Sequence, residues 1–148
     1  MLNKALWDFA EINKKHLGMV SIDIPLISNL DVWGNIALIK QFHQNVSQEE
    51  AQELVLKYLQ RYDMTKIANK RNPALTREER FCVMLLRAVM VTDAVVVIDR
   101  PFQILPAMQN ASFINSALKK VDDTYQECHI YDYTWNAQRY RVNDAEKN

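Results

Sequence analysis

The stretch that most constrains the fold is 75–106, LTREERFCVMLLRAVMVTDAVVVIDRPFQILP. Thr76 is followed three residues later by Glu79, the capping-box spacing, which predicts a helix start. Phe81, Val83, Met84, Leu85, Leu86 and Ala88 leave that helix apolar on most sides, so an inner helix is expected. Thr92 and Asp93 break it. Residues 94–98 are a β-branched run without polar alternation, the pattern of a strand covered on both faces in a parallel sheet. Asp99 closes the run at the strand's carboxyl end, where open α/β sheets place their ligands.

Around this unit the chain reads as one α/β domain over 1–148. The expected fold is a short, mostly parallel sheet flanked by helices. A helical subdomain is expected at about 30–90, the core sheet and its helices at 1–29 and 91–143, and a polar tail at 144–148. Residues 2–15 predict a short helix with Leu6, Phe9 and Ala10 on its apolar face, and 16–20 a short strand. Residues 32–42 and 48–62 predict helices, the second opened by Ser47 and Glu50 at capping-box spacing. The segment 63–75 reads as a loop with a basic centre at Lys66, Lys70 and Arg71, either a solvated connector or a partner or phosphate contact. Beyond Pro106, a helix is expected at 107–121, a strand at 126–133, a turn at 135–137 and a last short strand at 138–142.

Lysine plus arginine (18) equals aspartate plus glutamate (18), so net charge implies no nucleic-acid partner. No run of about 18 apolar residues is present to span a membrane, and the first residues do not look like a secretory leader. The expected compartment is the cytoplasm, where Cys82 and Cys128 are expected as free thiols. Gly18 and Gly34 are the sole glycines, and neither is followed by Lys and Ser or Thr. A phosphate-wrapping P-loop needs glycines around a GK[ST], so these residues contain no Walker A motif. His16, His43 and His129 show no metal-ligand spacing, and no zinc site is expected. No Ser-His-Asp or Cys-His arrangement can be defended from spacing, so no catalytic residue is assigned.

The order of parts resembles the signature helix and Walker B strand of ABC transporter ATP-binding subunits, whose pattern runs LSGGQxxRVxxARAL, a hydrophobic strand ending in DEP, then SxLD. Leu75, Val83, Arg87, Ala88, Asp99, Pro101 and Leu105 match, and Thr76 stands for the serine. Upstream, LGMVSI and LISNLDVWGNIAL resemble the family's IGMVFQ and LFPxLTVxENIAL. The departures fall on nucleotide-contacting positions. Arg77 and Glu78 replace two glycines, Glu79 the glutamine, Arg100 the catalytic glutamate, Pro106 the last aspartate, and Ile22 the Q-loop glutamine. The resemblance covers about 16–106 and implies a degenerate domain starting just before the Q-loop.

By resemblance, Thr76, Arg77 and Asp99 are the vestigial nucleotide and magnesium positions. A helix N-terminus can face an anion, but Glu78 and Glu79 put negative charge in that first turn. Asp99 is either the magnesium carboxylate or a strand-end carboxylate that caps a turn or pairs with Arg100. Arg100 cannot act as a base, and losing that group costs roughly 10²–10⁴ in rate. His129 is a candidate for the family's switch histidine but sits early; Tyr131 and Tyr133 occupy the strand end. Leu26 and Trp33 mark the region where the family receives a membrane subunit, so a partner surface is expected there, with loop packing as the alternative. No cofactor is expected for the chain alone, and ATP with magnesium only if a P-loop chain completes the site. The implied function is that of an inactive ABC-ATPase-like protein, structural or regulatory, beside an ABC-type ATPase or permease subunit, or as a homodimer. A split domain completed in trans and a stand-alone interaction module are the rivals. Bared sheet edges favour a dimer or a partner-bound state.

Overall fold

A computed structural model describes residues 2–146. Three strands, β1 (Leu17–Ser21), β2 (Ala94–Asp99) and β3 (Tyr125–Tyr131), form one parallel sheet in the order β1-β2-β3. Every residue of β2 is buried. It is the central strand, and both of its faces are covered, as its unbroken apolar run requires. A register shift between Ala94 and Val95 marks the start of its pairing with β3.

One face of the sheet packs on α4 (Arg77–Val89), the inner helix. Its N-cap is a full capping box: Thr76 Oγ1 accepts from the Glu79 amide (3.1 Å), and a Glu79 carboxylate oxygen accepts from the Thr76 amide (2.9 Å). Phe81, Val83, Leu85 and Leu86 are fully buried. Gly18 of β1 lies directly under the Ala88 carbonyl of α4, a closeness that a side chain would forbid. The opposite face is covered by α1 (Leu2–Ile12), which buries Leu6 and Ala10 and sets Phe9 against His129 and Tyr131 of β3.

Helices α2 (Val32–Gln44) and α3 (Gln48–Arg61) pack together, and α2 packs on α4. The Ser47 hydroxyl caps α3 by accepting from the Glu50 amide, but the reciprocal Glu50 bond is absent, so half of the expected capping box forms. The basic loop resolves into two short turns, Thr65–Ile67 and Asn72–Ala74. Its Lys70 and Ala68 carbonyls accept from the Val32 and Trp33 amides, satisfying orphan donors at the start of α2.

Three expectations downstream are corrected. The 107–121 helix is confined to α6 (Ser112–Lys119), preceded by the short α5 (Pro101–Ile104). The Asn110 side chain accepts from the Ser112 amide, an Asx turn that holds the preceding residues out of helix. The 138–142 strand is instead helical, within α7 (Ala137–Glu146). A turn at Thr134–Asn136 leads into it, and helical winding lets Tyr140 reach the Asp132 carboxylate (2.6 Å) and pack edge-on against Phe102. The expected polar tail at 144–148 is helical to Glu146, and 147–148 lie outside the described residues.

Burial pushes the Cys82 thiol up to about 12 and the Cys128 thiol up to about 11. Both cysteines are free. Thiolate is the reactive form, so native protein at pH 8 is expected to react slowly with an aromatic disulfide reagent, and with Cys82 far slower than Cys128. Rapid two-thiol reaction before unfolding would contradict this packing.

Candidate functional site

The parallel register sets Ser21 at the end of β1 and Tyr131 at the end of β3 on either side of Asp99. Asp99 is 2% exposed. A carboxylate that deep must be paired and hydrogen-bonded, and Asp99 is both. The Ser21 hydroxyl donates to Oδ2 (2.8 Å). Arg100 folds back on the same carboxylate, with Nε donating to Oδ1 (2.9 Å) and a terminal nitrogen to Oδ2 (3.0 Å). This is the two-point guanidinium–carboxylate geometry, stronger than a neutral hydrogen bond. The same terminal nitrogen also reaches Asp23 (2.5 Å), and the other donates to the Tyr133 hydroxyl (3.3 Å).

The backbone explains how adjacent residues manage this. Arg100 has φ 46° and ψ 60°, left-handed geometry that a non-glycine residue avoids at a cost of about 1–3 kcal/mol. The turn is held on both sides: the Arg100 amide donates to the Tyr131 carbonyl (2.7 Å), its carbonyl accepts from Gln103, and Pro101 starts α5. The hydrogen bond to Asp99 holds the Arg100 guanidinium pKa above its ordinary value. Tyr133 lies beside the guanidinium and stacks on Trp135 at 4.2 Å between ring centroids.

The cluster borders a cleft of about 120 Å³ walled by Leu6 and Trp7 of α1, Met19 and Ile24. Net formal charge on Asp23, Asp99 and Arg100 is −1, but the positive group occupies both oxygens of the buried carboxylate. A divalent cation would have to displace that guanidinium to reach either oxygen.

Thr76 and Arg77 are not brought to Asp99. They sit at the exposed N-terminus of α4, where the Thr76 hydroxyl is committed to its cap. Arg77 lines a separate cleft of about 280 Å³ with Ile22, Arg80, Gln103 and Pro106. Arg80 is tied down by the Asn72 side chain and the Asn72 and Leu75 carbonyls. His129 lies inside β3, two residues before its end, with Nε2 3.0 Å from a Glu127 carboxylate oxygen, and is not part of the Asp99 cluster. Leu26 is buried, so it supports the 22–27 loop from beneath, and Trp33 is half-buried. The large apolar side chains that loop exposes are Ile22, Ile24 and Ile27. Arg87 braces it by donating to the Ile24 (2.6 Å) and Pro25 (3.0 Å) carbonyls, and buried Asn35 bonds both the amide and the carbonyl of Ile27.

Ser21, Asp23 and Tyr133 were missed as site residues by sequence reasoning. The Asp99–Arg100 pair was legible as one of two readings because the residues are neighbours. Ser21 joins only through the register of two parallel strands, for which the sequence carries no local signal.

No family model matches the chain, and no curated protein matches it. Among solved structures, the fold is similar to the dimeric structure of a bacterial ABC transporter cassette, with a TM-score of 0.62 and 20% sequence identity over 90% of this chain. The chain spans 60% of that cassette. At that identity the likeness is one of fold: an α/β ABC-cassette-like architecture with a short parallel sheet. Among the described residues, no helix is long and apolar enough to cross a membrane.

Proposed function

We propose that this chain is a catalytically inactive, degenerate ABC-ATPase-like protein with a structural or regulatory role beside an ABC-type transport system. The observation that carries the reading is the Arg100 guanidinium seated on both oxygens of Asp99. In this reading Arg100 is a built-in counter-ion where a nucleotide-hydrolysing relative would use a metal. The residues do not fit magnesium: the carboxylate is already neutralised, the next residue is a permanent cation rather than a base, and the Ile22 side chain offers no polar atom. The N-terminus of α4 serves its own cap, and its first turn carries Glu78 and Glu79. ATP and magnesium would bind only if a P-loop chain completed the site. The braced loop with Ile22, Ile24 and Ile27 supports a partner surface near Leu26 and Trp33, facing an ABC-type ATPase or permease subunit.

Calorimetry of the isolated protein with ATP and magnesium tests this reading. No magnesium-dependent heat of binding is expected up to millimolar ATP. Micromolar binding that disappears in Asp99→Asn would overturn it.

A further inference from the structure

Among the described residues the sheet ends at β3, whose outer edge has no strand partner. The Tyr131 carbonyl accepts from Arg100 across the β2 side. Strand alternation then turns the amides and carbonyls of Glu127 and His129 toward β2, and those of Cys128 and Ile130 toward the free edge. The edge carries no proline and no lysine, the usual devices that keep such an edge from pairing. It is also accessible: Glu127 is exposed, and Cys128, His129 and Ile130 are half-buried, whereas every residue of the central strand is buried.

The order of side chains along this edge selects an occupant. Lay a second copy of β3 antiparallel to the first, with the two-fold axis at Cys128. Glu127 then falls opposite His129 of the second copy, and His129 opposite its Glu127. Both pairs lie on one face of the sheet, at positions whose backbone bonds point to β2. They are therefore the closely spaced pairs of an antiparallel ladder, with Cα atoms about 4.5 Å apart. Cys128 faces its own copy, its outward amide and carbonyl exchanging both hydrogen bonds. Glu127 and His129 already lie 3.0 Å apart within one strand, so dimerisation would build an alternating ring of two carboxylates and two imidazoles. Moving the axis by one residue to His129 would set histidine against histidine and lose this match.

We propose that two copies of this chain associate through β3 edges, antiparallel about Cys128, to form a continuous six-stranded sheet. The proposal does not depend on the inactive-ATPase reading above.

The test mixes two charge variants and follows mass by sedimentation velocity, with circular dichroism confirming that each folds. His129→Glu sets two carboxylate pairs against each other across the axis, and Glu127→Lys sets lysine against histidine. Each variant alone is expected to dimerise about tenfold more weakly than the wild type, the effect of replacing two favourable cross-strand pairs. An equimolar mixture of the two is expected to recover wild-type association as a heterodimer, because both cross-strand pairs are then complementary. A change confined to one strand cannot be rescued by mixing. A wild-type chain monomeric at all concentrations, a dimer indifferent to both substitutions, a mixture no stronger than its components, or an edge filled by a strand of another protein would each overturn the proposal.

Discussion

Replacing Arg100 by alanine is expected to lower unfolding free energy by about 3–5 kcal/mol, read from the midpoint of urea denaturation at constant slope. The loss is larger than that of a surface ion pair because Asp99 is 2% exposed and its partner's side chain 13% exposed. Removing the arginine strands a buried carboxylate with only the Ser21 hydroxyl to satisfy it. The double variant Asp99→Asn with Arg100→Ala removes both charges and is expected to cost less than Arg100→Ala alone, a non-additivity that isolates the pair. Arg100→Gly separates a second contribution. Glycine tolerates the left-handed backbone at this position, so it should recover about 1 kcal/mol relative to alanine. Equal losses for alanine and glycine, or additive single and double variants, would mean that the ion pair is incidental.

Gly18→Ala is expected to destabilise the chain by about 3 kcal/mol or more, although it adds one methyl group. A Cβ at this position would lie 2.2 Å from the Ala88 carbonyl oxygen and 2.8 Å from its carbon. These are backbone atoms of α4, so no side chain can rotate away. The helix or the strand must move by about 1 Å, and eight of the thirteen α4 residues are buried. Gly34→Ala is the control. Its added Cβ would lie 3.1 Å from the Asp31 carboxylate, a side chain that caps α2 through the Gly34 amide and needs to give by only a few tenths of an ångström, and inside α2 alanine has the better helix propensity by up to about 1 kcal/mol. The two substitutions should therefore differ sharply in thermal stability, and similar small effects would contradict the helix–strand closeness.

The contrast between these glycines shows what local sequence can and cannot reveal. The Thr76–Glu79 box and the apolar run of β2 were legible because each is defined by contiguous residues and a short-range rule. Ser47 and Glu50 have the same spacing, yet only the hydroxyl bond forms. Residues 138–142 were misread as a strand because short polar segments lack a decisive period. What decides them is tertiary: Tyr140 bonds Asp132, the Arg139 carbonyl accepts from Ala111, and the Arg139 guanidinium lies over Phe102. The α6 start was displaced by one asparagine side chain competing for a backbone amide. At the site, Asp99 and Arg100 could be paired from adjacency. Asp23 and Tyr133 could not, since they meet Arg100 from segments 77 and 33 residues away.

The most direct measurement is the Arg100 Nε–H resonance in a nitrogen-15 NMR spectrum, recorded with and without millimolar magnesium and ATP. A guanidinium proton whose Nε lies 2.9 Å from Asp99 Oδ1 exchanges slowly with water. The expected result is a sharp, shifted cross-peak that is absent in Asp99→Asn and unmoved by magnesium. A peak broadened by exchange in the free protein, or one displaced in a saturable way by magnesium, would contradict the assignment of Arg100 as the resident cation of this site.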